Sequence, residues 1–227
     1  MKRCRNLILC SLAVAGLTML PSAARAGSVP PGKDIQFLGG SGGTFTYSIG
    51  VGSTAGVHGA PMDTVISFPS FTSLGIDSGQ LDFTTGPCIA TCGEATVGGF
   101  AQSVPQFGAG GGLTLYGGIP SLGIADGTAL IDGTFVPFTD AGGHTHPAAA
   151  FSLFANPGKT SGMDGYLQIL SVNPELLSFF NFNPSFTGGE GHLSELLLQL
   201  TFVAPTWNGQ IEHSSLLVDP ALPEPPS

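Results

Sequence analysis

Runs of glycine punctuate this chain at Gly39-Gly40, Gly42-Gly43, Gly98-Gly99, Gly110-Gly111-Gly112, Gly117-Gly118, Gly142-Gly143 and Gly188-Gly189, breaks that suit turns between short strands. Glycine in a helix interior is less favourable than alanine by roughly 1 kcal/mol, whereas it accepts the positive φ of a tight turn freely. The segments between these breaks alternate with period two. Thr44-Phe45-Thr46-Tyr47-Ser48-Ile49, Gln80-Leu81-Asp82-Phe83 and Gly112-Leu113-Thr114-Leu115-Tyr116 read as strands with one face buried. Residues 64–68, 128–135, 148–154, 165–170, 196–202 and 210–218 are further strand candidates.

About ten strands without crossover helices predict an all-β fold, an antiparallel two-sheet sandwich of jelly-roll-like form with Gly-rich turns. One short helix is expected after Asn173, which is placed to cap it. Pro174 would take the first helical position, and Glu175 would face the dipole in the first turn. Hydrophobic residues make up 42% of the chain and charged residues only 9%, a balance that favours a packed β protein over a disordered one. The expected organisation is a signal peptide over residues 1–26, a single β-sandwich domain over 27–218 and a Pro-rich tail over 219–227.

The N-terminal assignment rests on a basic stretch (Lys2, Arg3, Arg5), an apolar run from Leu7 to Leu20, and small residues ending at Ala26. That run of 14 residues is shorter than the roughly 20 needed to span a bilayer, so cleavage after Ala26 is expected rather than retention. Acylation of Cys10 is rejected, because it lies inside the apolar run and follows Leu9. Loss of the leader would leave Lys33 and Lys159 against all 15 acidic residues, a formal charge of −13. Such a chain repels phosphate backbones and anionic headgroups, so neither nucleic acid nor membrane insertion of the mature chain is expected. Cys88 and Cys92 are the cysteines that remain, and an oxidising compartment would join them as a disulfide across a Gly- and Pro-bracketed turn.

The tail carries Pro223-Glu224-Pro225. With the leader and with body segments such as Leu81-Asp82-Phe83-Thr84-Thr85-Gly86, Phe107-Gly108-Ala109-Gly110-Gly111-Gly112 and Leu130-Ile131-Asp132-Gly133-Thr134-Phe135, it resembles the PEP-CTERM sorting-signal family of exported bacterial proteins. In that family an exosortase recognises the tail, and many members are associated with exopolysaccharide and the cell surface. The resemblance implies a sorting-like role for Pro223, Glu224 and Pro225 and surface components or exopolysaccharide as partners. The apolar span and arginine cluster that follow the box in that family do not follow it in this sequence.

Chemistry-bearing clusters are few. His144-Thr145-His146 would aim both imidazoles at one ion if it lay on a strand, with Asp140, Glu190 or His192 as a third ligand, but a polar turn is the simpler reading. No Gly-x-Ser-x-Gly elbow and no phosphate-binding loop occur, and no cofactor is called for. Tyr47, Tyr116, Tyr166 and above all Trp207, in an expected turn, are the candidates for stacking on sugar rings, but with a single Trp and 16 Phe core packing is the simpler reading of the aromatic residues. The leading expectation is therefore a non-enzymatic, exported structural or cell-surface protein. The alternatives are a secreted carbohydrate-binding module with a row of exposed aromatics including Trp207 and, behind it, a metal-dependent enzyme using His144 and His146.

Overall fold

The computed structural model describes residues 35–67, 72–139, 142–155, 161–180, 194–203 and 207–218. The leader, the Pro-Glu-Pro tail, Asp140, Glu190 and His192 lie outside them. The fold is almost entirely antiparallel β. In chain order the strands are β1 (Ile35–Gly39), β2 (Gly42–Tyr47), β3 (Ala55–Pro61), β4 (Thr64–Ser67), β5 (Thr72–Gly75), β6 (Asp77–Thr85), β7 (Cys88–Ala90), β8 (Ala95–Val97) and β9 (Phe100–Ser103). They continue with β10 (Gln106–Phe107), β11 (Gly110–Ile119), β12 (Ile124–Phe135), β13 (Phe138–Thr139), β14 (Thr145–His146), β15 (Ala149–Phe154), β16 (Ser161–Val172), β17 (Ser194–Val203) and β18 (Asn208–Val218). The helix α1 (Pro174–Phe179) follows β16, and no described helix is long and apolar enough to cross a membrane.

Among the described residues sixteen strands join one sheet, and β13 with β14 forms a separate small one. The main path runs β5-β4-β1-β18-β2-β3-β6-β11-β12-β16-β15-β10-β7, while β17 pairs with both β16 and β18. The ladder thereby returns on itself around one core. Alternation sends Phe45 and Tyr47 of β2, Leu81 and Phe83 of β6, and Leu113 and Leu115 of β11 inward, where all six are buried. Phe45 meets Phe151 with ring centroids 5.1 Å apart, Tyr47 meets Phe107 edge-on at 5.7 Å, and Phe83 meets Phe135 at 5.4 Å. Each such ring contributes about 1.5–3 kcal/mol by leaving water.

Several strands carry weak sequence signals. β3 holds Gly56, Gly59 and Pro61, yet it pairs on both edges because a register shift between Val57 and Ala60 absorbs the irregular part. Gly59 lies there at φ 67°, a bulge conformation that turns Val57 and Ala60 both inward. α1 forms where its cap predicts, since Asn173 Oδ1 accepts from the backbone N–H of Glu175 at 3.0 Å and of Leu176 at 3.3 Å.

Candidate functional site

The face of β2, β3, β6 and β11 turned away from the core is built from the outward members of the alternating segments. Registers place Thr44 opposite His58, Thr46 opposite Gly56, Gly56 opposite Thr84, Thr84 opposite Gly112, and Asp82 opposite Thr114. Together with Tyr116 these side chains line an open groove of about 530 Å³. Gly56 and Gly112 form part of its floor.

The polar groups of the groove are partly organised. Asp82 Oδ1 accepts from His58 Nδ1 at 3.0 Å and from the Gly59 backbone N–H at 2.6 Å, so the β3 bulge aims an amide at this carboxylate. One strand further, the Thr114 hydroxyl donates to Asp132 Oδ1 at 2.9 Å, and Ser171 donates to Asp132 Oδ2 at 2.9 Å. Asp82, Thr114, Asp132 and Ser171 are successive register partners and make one polar row across β6, β11, β12 and β16. No hydrogen bond among the described residues engages the hydroxyls of Thr44, Thr46, Thr84 or Tyr116, or Asp82 Oδ2. Tyr116 is 38% exposed at one end of the groove.

The exposed aromatic row including Trp207 that the carbohydrate-binding alternative called for is not found among the described residues, and that part of the alternative is corrected. Trp207 is 1% exposed. It does occupy a turn, at φ 44°, but the turn tucks the indole inward, where Nε1 donates to Glu94 Oε2 at 3.0 Å. Its carbonyl accepts from the Tyr47 N–H at 3.2 Å. Tyr47 is buried, and Tyr166 is half-buried against Phe138 and His146 at 5.3 and 5.9 Å. Of the four aromatic candidates, only Tyr116 presents its ring at the groove.

His144 precedes β14 and is exposed, whereas His146 sits on β14 and stacks on Phe138 at 5.7 Å and 19°. Among the described residues no three His, Cys, Asp or Glu side chains come together as a metal site. Cys88 and Cys92 lie at disulfide-bonding distance with Cα atoms 5.9 Å apart. Backbone bonds from Gly50 to Cys92 (3.1 Å), Gly52 to Cys88 (3.0 Å) and Cys88 to Ser53 (2.7 Å) brace this turn against the loop after β2. No family model, curated protein or solved structure matches the chain.

Sequence reading missed the groove as a unit. Its Thr, Asp and Tyr positions are visible in the three alternating segments, but alternation does not say which strands become neighbours. His58 and Gly59 gave no signal, because β3 reads as a loop.

Proposed function

We propose that this is a non-enzymatic, exported protein that works at the cell surface or in the surrounding matrix. The observation that carries the reading is the Cys88–Cys92 pair at bonding distance inside a turn braced on several sides, a feature that persists in oxidising compartments. The architecture we infer is a two-sheet, jelly-roll-like sandwich. Ring contacts between strands that are not ladder neighbours, Phe45 of β2 on Phe151 of β15 among them, support it. Expression of the full chain in a Gram-negative host, with fractionation and N-terminal sequencing, tests the export step. A chain beginning at Gly27 outside the inner membrane, with no free thiol, is the expected result. A cytoplasmic chain that retains Met1 and four reactive thiols sinks the reading.

A second reading, a secreted carbohydrate-binding module, is favoured by one specific observation: the groove lined by free hydroxyls, a carboxylate and Tyr116.

A further inference from the structure

The geometry points to the groove over β2, β3, β6 and β11 as a binding site for a neutral polysaccharide chain, with Tyr116 as its stacking platform and Asp82 and His58 as its main hydrogen-bonding pair. This deepens the carbohydrate-binding reading and rests on it.

Three properties of the groove select the ligand. The first is the supply of unpaired groups. The hydroxyls of Thr44, Thr46, Thr84 and Tyr116 and one carboxylate oxygen of Asp82 have no partner among the described residues. A ligand dense in hydroxyls, able both to donate and to accept, matches that mixture, whereas an apolar ligand would strand it at about 1–3 kcal/mol per buried polar group. Asp82 Oδ1 is already held by His58 Nδ1 and the Gly59 amide, so the carboxylate is set in place with Oδ2 open to a sugar hydroxyl.

The second property is charge. Residues 34–158, which supply every groove position, contain no lysine or arginine. Among the described residues anionic glycans, nucleotides and phosphates have no lysine or arginine to pair with here, and Asp82 and Asp132 repel them.

The third property is shape. The groove lies open along a sheet face, and four adjacent strands spaced about 4.8 Å apart make it about 14 Å wide. That suits a chain passing across it better than a small molecule that needs enclosure. Gly56 and Gly112 keep the floor flat. A Cβ at Gly112 would meet nothing nearer than the Gly133 carbonyl at 3.9 Å, so the absent side chain leaves open space rather than relieving a clash. A pyranose presents an apolar face of C–H groups and a rim of hydroxyls, and the exposed Tyr116 ring beside hydroxyl-bearing strands is complementary to both.

Affinity electrophoresis of the full chain through gels containing soluble neutral polysaccharides (mixed-linkage β-glucan, galactomannan, dextran) or anionic ones (alginate, polygalacturonate) tests this. Retardation by at least one neutral polymer and by neither anionic one is expected. Tyr116→Ala should weaken binding about tenfold, the loss of one aromatic stack. Gly112→Val, which fits the strand and fills the groove, should abolish it with an unchanged thermal transition. Asp82→Asn should also weaken it. If neutral polymers retard wild type and the folded Gly112→Val and Tyr116→Ala variants alike, the groove assignment falls while the carbohydrate-binding reading stands. No retardation by any neutral polymer overturns both. Retardation by alginate equal to that by neutral glycans overturns the charge argument and with it the ligand class.

Discussion

Tyr47 and Trp207 show how buried polar aromatics tie the loops at one end of the fold together. The Tyr47 hydroxyl donates to the Cys92 carbonyl at 3.0 Å, and its backbone N–H donates to Trp207 O, so one residue joins the disulfide turn to the start of β18. Burial raises the Tyr47 pKa above its ordinary value, outweighing the lowering effect of hydrogen bonds with Ser53, Ser103 and the Gly50 backbone. The neutral phenol is therefore the form the fold prefers. Its stabilising contribution is complete below the unfolded-state value near 10 and is lost as pH rises through the higher folded value. Tyr47→Phe should lower stability by about 1 kcal/mol at pH 8, since it removes one of the two hydrogen bonds to the Cys92 carbonyl and leaves the one from the Gly50 N–H. The gap between wild type and variant should narrow above pH about 10, as urea denaturation at stepped pH would show. A constant gap across that range would mean the phenol does not titrate with folding.

Among the elements, α1 and β3 illustrate opposite relations between local sequence and structure. The helix obeys local rules: the Asn173 side chain caps it, Pro174 starts it, and Leu176 and Leu177 seat it on the core. Asn173→Ala should cost about 1 kcal/mol, read as a fall in thermal midpoint, while Asn173→Ser or Asp should preserve most of the stability. An unchanged midpoint for the alanine variant would show that packing of the two leucines alone holds the element. β3 defies local rules, with two glycines and a proline in seven residues. Long flanking ladders to β2 and β6 impose the extended conformation, and the bulge at Gly59 puts the irregularity to use by directing an amide at Asp82. Strand pairing won there over propensity.

At the scale of the whole molecule, the sheet that returns on itself through β17 buries one core to which strands along its whole path contribute. The bridge closes a short ring that backbone bonds already brace, so reduction should lower stability by less than about 3 kcal/mol, measured as a shift in the urea midpoint with and without a phosphine reductant. Complete unfolding on reduction would show that the turn nucleates far more of the fold than its loop length implies. The all-β class, most strands, the helix after Asn173 and the Cys88–Cys92 pairing were legible in the chain, because each depends on contacts within a few residues: alternation, turn glycines, a cap, a short cysteine spacing. Strand order was not legible, since neighbours such as β18 and β2 lie far apart along the chain and equivalent alternating segments do not reveal their partners. For the same reason the turn at Trp207 could be anticipated but not the inward course of its indole, which depends on Glu94 more than a hundred residues away. The groove belongs wholly to the tertiary level: Thr44, His58, Asp82 and Thr114 become neighbours only when three ladders form in register, because a strand's outward face acquires meaning from the strands beside it.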